Sequence, residues 1–382
     1  MNTRVTMAMI AARAGVHTTT VSLALRNHPS LPPETRQRLQ ALATEMGYQR
    51  DPALSALVAY RNGTRPAQSL PFLAYVTNGE SRWGWKEHPA LRDYYEGTHR
   101  KCAELGYQLE HFWLRDRGMS PQRMSRILYA RGIAGIILAP HGTAADAPVD
   151  FDWAKFSAVR IDPVPCSQQL HLVTSDHRAI LALAVQRVLA AGYRRIGFVL
   201  PQWWDAQVAR AWSAGFLGEQ QLFDPADRIP LLTFSAPPFP AGIASAGTPA
   251  VPREQLAAWL RLNRPEVIVS SSLFVQAPLA ELGISIPHDV ALVDISLDRP
   301  DGVTAGVHQN CHRVGELAAE VVAGQLQKHL SGIPAIPTAT LVGGTWHDGA
   351  SLPSSVDASP RTTPFVSPAS VPHRSSRRKV AI

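Results

Sequence analysis

Thr18, Thr19 and Thr20 stand in a row just after Gly15-Val16-His17. Three short hydroxyl side chains at the start of a helix are suited to exchanging hydrogen bonds with base edges in a major groove. The alternative is a merely polar helix start. A second group is aromatic. Trp83 and Trp85 lie in Asn78-Gly-Glu-Ser-Arg-Trp-Gly-Trp, and Trp203 and Trp204 are adjacent. Such rings offer stacking faces to a sugar, or simply pack. His308, Cys311 and His312 have a helical spacing open to metal ligation, and Asp176-His177 invites a catalytic reading. Isolated groups of this kind are more often structural. No GxSxG, HExxH, Walker loop or GxGxxG occurs. No metal, no cofactor and no enzymatic activity are expected.

These residues need elements to hold them. Ile10, Ala11 and Ala14 share one helical face before Gly15 breaks the helix. Val21 and Leu25 form the buried side of a second short helix, ended near Asn27-His28-Pro29. Pro32-Pro33 opens a third, with Leu39, Leu42, Ala43 and Met46 on one face and Gly47 as a left-handed cap. From residue 70 strands alternate with helices. Strands are read at Leu70–Val76, Ile133–Leu138, Ile196–Leu200, Val267–Ser270 and Val290–Ile295; helices at Tyr94–Leu105, Ala179–Ala191 and Cys311–Leu330. This alternation implies parallel sheets covered on both faces, in more segments than one sheet absorbs, hence two similar lobes. Both Trp pairs follow a strand, where the crevice of such lobes lies. Pro237 to Pro252 reads as a surface loop. Residues 351–382, with 8 Ser and 5 Pro, read as a disordered basic tail.

Composition sets the bounds. The 382 residues are 45% hydrophobic and 18% charged, which excludes wholesale disorder. No apolar run approaches the ~20 residues of a membrane span, and Met1 to Ala14 makes a poor secretory signal, so no membrane partner is expected. Cys102, Cys166 and Cys311 are too scattered for a disulfide framework, which favours a cytoplasmic location. The net charge of +7 is uneven: +5 in residues 1–65, +4 in 351–382 and −2 between them. A basic end against a neutral body points to a polyanion contact, nucleic acid first.

Short helices, a glycine turn and a basic surround make a helix-turn-helix unit. Ile10-Ala-Ala-Arg-Ala-Gly-Val16, Thr20-Val21-Ser22, Glu34-Thr35-Arg36 and Met46-Gly47-Tyr48 resemble the head of the lactose-repressor/galactose-repressor family. The likeness continues through Leu105-Gly106-Tyr107, Arg131-Gly-Ile-Ala-Gly-Ile-Ile137, Ala191-Gly-Tyr-Arg-Arg-Ile-Gly197, Ile286-Pro-His-Asp-Val290 and Trp346, over about residues 5–350. It implies a helix-turn-helix DNA-binding domain over 1–49, a hinge helix and linker over 50–68, a two-lobed periplasmic-binding-protein-like core over 69–350, and a tail over 351–382. It implies a homodimeric repressor with a double-stranded, pseudo-palindromic operator and a small-molecule effector, a sugar or derivative. An activator of the same family, a stand-alone sugar-binding protein and an enzyme on the same scaffold are the alternatives.

Carried over by position, Thr18, Thr19 and Leu23 face bases. Thr6, His17, Thr20, Ser22 and Asn27 sit near phosphates, and Leu57 wedges into the minor groove. The chain departs from the family in the head: Leu23 stands where Arg is usual, His17 where Ser is usual, and Arg50-Asp51 where Pro-Asn is usual. In the core, Trp212 replaces the usual Arg, with Arg210 two residues earlier. Ser296 replaces the usual Asp, between Asp294 and Asp298. The effector contacts expected are therefore Trp83, Trp85, Trp203, Trp204, Arg210, Trp212, Asp294, Ser296 and Asp298.

Overall fold

The computed structural model describes residues 7–25, 31–46, 70–79, 81–140, 149–163, 169–236 and 249–354. Thr6, Asn27, Leu57, the Gly47 cap, the hinge segment, most of the 237–252 loop and the tail from 355 onward lie outside the described residues.

The head is three helices, α1 (Met7–Ala14), α2 (Thr18–Leu25) and α3 (Pro33–Glu45). Ile10, Val21, Ala24 and Leu39 are fully buried where they meet. The second buried position of α2 is thus Ala24 rather than Leu25, which is only partly covered. Val21 and Ala24 are three residues apart and share a face, and a small side chain lets α3 approach closely. The Gln40 amide donates to the Ala24 carbonyl at 2.8 Å, tying α3 to the last turn of α2. Gly15 adopts φ +65°, the left-handed turn that links α1 to α2, and open space surrounds it. The glycine is needed there for its backbone alone.

The core has two sheets of six strands. In chain order the strands and helices of the first lobe are β1 (Phe72–Thr77), α4 (Pro89–Glu104), β2 (Gln108–Trp113), α5 (Pro121–Ala130), β3 (Gly135–Leu138), β4 (Ser157–Ile161) and β5 (His171–Ser175). The second lobe follows with α6 (His177–Ala190), β6 (Ile196–Pro201), α7 (Gln202–Gln207), α8 (Ala211–Gln220), β7 (Leu232–Phe234), α9 (Arg253–Asn263), β8 (Val267–Ser270), α10 (Ser272–Glu281), β9 (Ala291–Asp294) and β10 (Ala305–His308). The chain then returns to the first lobe for α11 (Cys311–Lys328) and β11 (Ala339–Val342), and ends in the second with β12 (Thr345–His347).

The first sheet runs β11-β5-β4-β3-β1-β2, all parallel, and the second β12-β10-β9-β8-β6-β7, with only β12 antiparallel. Central strands such as Gly-Ile-Ile-Leu and Val-Ile-Val-Ser are buried at every residue, as parallel strands covered on both faces must be. The strand expected from Leu70 starts two residues later, running from Phe72 to Thr77, and the following helix begins earlier, at Pro89, because proline is tolerated in a first turn.

Among the described helices, α4 and α11 share the most extensive packing. A Cβ on Gly97 would overlap the His312 carbonyl oxygen, and one on Gly315 would overlap that of Tyr94. The Thr98 hydroxyl sits in the same crossing, 2.7 Å from the Tyr94 carbonyl and 3.1 Å from that of Gly315. α11 begins directly at one of three places where the chain changes lobe: residues 175–177, 308–311 and 342–345.

Candidate DNA interface and effector crevice

In the head, Val21, Ala24 and Leu25 turn inward, while Thr19 and His17 are exposed and Thr18, Thr20, Ser22 and Leu23 are partly exposed. The base-reading candidates therefore lie on the outward side of α2. His17 caps that helix. Its Nδ1 accepts from the Thr19 backbone N–H at 3.3 Å and lies 2.9 Å from the Thr19 hydroxyl. An imidazole thus does the work that a serine oxygen usually does at a helix start. Thr20 N–H and Val21 N–H donate to the His17 carbonyl, closing the first turn. On the far side, Arg13 and Glu45 form an exposed ion pair at 3.4 Å.

Between the lobes the three crossovers are stitched together. The Ser175 hydroxyl donates to the Gln309 carbonyl at 3.1 Å, and the Asp176 N–H to the Val342 carbonyl at 2.7 Å. Asn310, left-handed at φ 56°, donates through Nδ2 to the Gly343 carbonyl at 2.8 Å and to Thr345 Oγ1 at 3.0 Å. Asparagine is one of the few side chains suited to that backbone. Asp176 caps α6 by accepting from Ala179 N–H at 3.0 Å. His177 packs edge-on against Trp212 at 4.6 Å, and burial lowers its pKa to about 3. The Asp176-His177 pair is thus committed to structure. His308 Nδ1 lies 3.0 Å from Asn310 Oδ1, Cys311 is buried, and His312 lies 3.4 Å from Glu316. Among the described residues no three or more His, Cys, Asp or Glu gather as a metal set.

The carboxyl end of the second sheet is aromatic. Alternate residues of β6, β8 and β9 feed two buried clusters, one on each face of the sheet. Trp204 packs against both clusters, so it lies across the end of the sheet. It meets Trp212 at 5.1 Å and Phe274 at 5.2 Å, and Trp203 meets Phe274 at 6.4 Å. Trp212 is fully buried, and its Nε1 has no hydrogen-bond partner among the described residues.

The carboxylates beside these rings are already engaged. Asp294 accepts from Ser272 N–H (2.8 Å), the Ser272 hydroxyl (2.5 Å) and Ser296 N–H (2.7 Å). Its burial still raises its pKa against those three bonds. Asp205 accepts from Ser213 N–H at 3.0 Å. Ser296 is partly exposed; Asp298 and Arg210 are exposed, with Arg210 left-handed at φ 63° before α8. Burial lowers the His88 pKa to about 4. The Asp298 carboxylate, in the second lobe, raises the pKa of His88 at the start of α4, partly offsetting the effect of burial.

Trp83 and Trp85 follow β1 in the first lobe. They lie 6.3 Å apart at the β1–β2 edge of the first lobe, Trp83 against His111 at 4.9 Å and Trp85 against Tyr95 at 4.4 Å. Lys86 sits 4.3 Å over the Trp83 ring. The structure thus joins Trp203, Trp204 and Trp212 in one group and Trp83 with Trp85 in another. A shallow cleft lined by Leu70, His99, Tyr107 and Leu109 lies at the amino ends of β1 and β2, the opposite end from the crevice.

Sequence reasoning missed Asp162. It follows β4 at the crevice end of the first sheet, left-handed at φ 63°. It accepts from the Thr174 hydroxyl at 2.6 Å and the Tyr94 hydroxyl at 3.2 Å, and desolvation pushes its pKa to about 6. The available signal was a carboxylate directly after the strand-compatible stretch Ser157–Ile161, followed by Pro163.

The described residues thus join a three-helix head to two parallel-sheet lobes connected by three crossovers. Residues 6–51 match the family described as bacterial regulatory proteins, lacI family. The chain is 30% identical over 213 residues to the HTH-type transcriptional regulator MalR of Streptomyces coelicolor (strain ATCC BAA-471 / A3(2) / M145). It is 27% identical over 206 residues to the HTH-type transcriptional regulator reg1 of Streptomyces lividans. Each match covers 52% of this chain and 54% of the relative, so the chain spans about half the length of the curated relatives it matches. The fold is similar to that of a transcriptional regulator CelR–cellobiose complex (TM-score 0.52, 19% identity, 90% of this chain and 98% of that one). It is equally similar to a lac repressor dimer bound to operator and the anti-inducer ONPF (TM-score 0.52, 16% identity, 92% and 99%). Residues 6–51 thus match a lacI-family model, and the two-lobed core has a fold similar to that of the lac repressor.

Proposed function

We propose that the chain is a sequence-specific DNA-binding transcriptional regulator, a repressor of carbohydrate-related genes controlled by a small-molecule effector. Residues 1–49 read the operator, 50–68 link and contact the minor groove, and 69–350 sense the effector and dimerise. Two heads of a homodimer engage a pseudo-palindrome in the cytoplasm, and no catalytic step is involved. The observation that carries this reading is α2. Its inner side is fully buried at Val21 and Ala24 while the Thr18–Leu23 side faces outward behind a capped first turn. That is the arrangement a recognition helix needs. The crevice supports the sensing role, because closing the lobes moves the crossovers stitched by Asn310, and with them the lobe that leads back to the head.

The test is a gel-shift assay of the full chain on the DNA upstream of its own gene. The expected result is a complex that outlasts competitor DNA and weakens steeply with salt, as phosphate contacts require. A complex equally strong on scrambled sequence would overturn the reading. A reporter downstream of the bound site separates repression from activation.

A further inference from the structure

The first turn of α2 carries a hydrogen bond whose direction matters. Residues of an α-helix follow one another at about 100°, so Thr19 lies about 200° from Val21, nearly opposite the side chain that anchors α2 in the head core. Of the three threonines, Thr19 is accordingly the exposed one, with Thr18 and Thr20 partly covered. Its hydroxyl is engaged before any base arrives. Thr19 Oγ1 lies 2.9 Å from His17 Nδ1, and the Thr19 backbone N–H donates to the same Nδ1 at 3.3 Å. An amide N–H can only donate, so Nδ1 presents its lone pair and the ring proton sits on Nε2. The hydroxyl contact then has one direction: Thr19 donates its only hydroxyl proton to His17. Lone pairs are what it has left for a ligand. A serine hydroxyl at position 17 could donate to Thr19 as well as accept from it; a bare ring nitrogen can only accept.

We propose that His17 makes Thr19 a hydrogen-bond acceptor only, and that Thr19 therefore selects its base pair through an exocyclic amine, N6 of adenine or N4 of cytosine, in the major groove. This rests on the reading of α2 as a recognition helix. It adds which atom one of its residues recognises and which neighbour decides it. A threonine with its proton to give would serve N7, O6 or O4 equally well. Bonded to His17, it sets lone pair against lone pair at those acceptors, and an acceptor desolvated without a donor costs binding.

A binding motif alone does not decide the point, because every base pair shows both an amine and acceptors in the major groove. Single-atom changes in the DNA do. Selection of the full chain and of Thr19→Val on randomised duplexes first finds the base pair whose identity depends on the Thr19 hydroxyl. Duplexes carrying the parent's site are then made without the amine at that pair (purine for adenine, 2-pyrimidinone for cytosine) or without N7 (7-deazaadenine or 7-deazaguanine). Amine removal is expected to weaken binding by the parent chain about fivefold, the worth of one neutral hydrogen bond, and N7 removal by no more than about twofold. Thr19→Val is expected to bind the intact and amine-less duplexes alike, which also accounts for any effect of the change on the duplex itself. His17→Gly keeps a residue tolerated at a helix start but has no side-chain acceptor. It should bind more weakly overall and lose most of the amine discrimination. His17→Asn, whose amide oxygen accepts at the same place, should keep it. Far-ultraviolet circular dichroism checks that each variant is folded. A parent chain indifferent to the amine, or penalised by N7 removal instead, overturns the proposal. So does discrimination that survives unchanged in His17→Gly or Thr19→Val, or that is lost in a folded His17→Asn. If His17→Gly binds no duplex, the parent and Thr19→Val still decide the polarity and His17→Asn the role of the accepting atom. An enriched site with no position dependent on Thr19 overturns this inference alone; no enriched site overturns the regulator reading and this inference with it.

Discussion

Replacing Gly97 with alanine should destabilise the core and leave the head intact. The new Cβ would fall on the His312 carbonyl oxygen, a backbone atom in the first turn of α11. A side-chain neighbour could rotate away; a helix backbone must translate. The same crossing already holds the Gly315–Tyr94 approach and the Thr98 bonds, so α4 and α11 would have to part along several residues. Overpacking of a buried contact costs about 1–3 kcal/mol, and a backbone clash belongs at the upper part of that range. Taken as ~2–3 kcal/mol in a lobe-sized unit, this lowers Tm by about 4–12 °C. Gly218→Ala is the matched control. It lies in α8, exposed, with nothing within 4 Å of its added Cβ. Removing backbone freedom there should stabilise by roughly 0.5–1 kcal/mol. Differential scanning calorimetry measures both. A Gly97→Ala melt within a degree of the parent would refute the packing argument, as would an equal loss in Gly218→Ala.

Four further outcomes are expected. Leu39→Ala empties the centre of the head, costing ~2–5 kcal/mol; operator binding should vanish while the melt of the core stays put, and retained binding would contradict the head core described here. Leu23→Arg should move base preference toward guanine by about 1–3 kcal/mol at one position of each half-site, checked by selection from randomised duplexes. Asp162 has a folded pKa near 6, above its unfolded value, so its cost is absent below about pH 4 and fully developed above about pH 6; Asp162→Asn should gain roughly 1–3 kcal/mol at pH 8 relative to its effect at pH 4, read from urea melts, and a difference independent of pH would contradict it. His177 is depressed to about 3, so it contributes stability above its unfolded pKa that falls away as pH drops below it; His177→Phe, which keeps the ring contact with Trp212, should shrink the loss between pH 7 and 5 by about 2 kcal/mol.

The head and the parallel lobes were legible because their signals are local. Apolar spacing in Leu39–Met46 and unbroken runs such as Val267–Ser270 report burial directly, and Gly15 reports its left-handed turn. The placement of Ala24 over Leu25 was not legible, since which of two apolar residues is fully covered depends on how near α3 comes. The crevice was half legible. That the tryptophans follow strands could be read, but two strands that end alike can send their aromatics to different places. Trp204 lies across its sheet, whereas Trp83 and Trp85 fold to the β1–β2 edge against His111 and Tyr95. Asp294 is read as an effector contact because it neighbours Ser296, where the family usually has Asp; Ser272, just after the preceding strand, takes up one of its oxygens. Asp162 and Asn310 escaped notice because their roles come from backbone conformations at crossovers, which no periodicity encodes.

The central claim is that α2 reads sequence. Selection of the full chain on a randomised double-stranded library, followed by affinity measurement at several salt concentrations, tests it most directly. The account predicts enrichment of a two-fold-symmetric site bound at least ~10³ times more tightly than scrambled duplex, with enrichment abolished by Thr18→Ala combined with Thr19→Ala. Failure to enrich any motif, or enrichment unchanged by that double substitution, would contradict it.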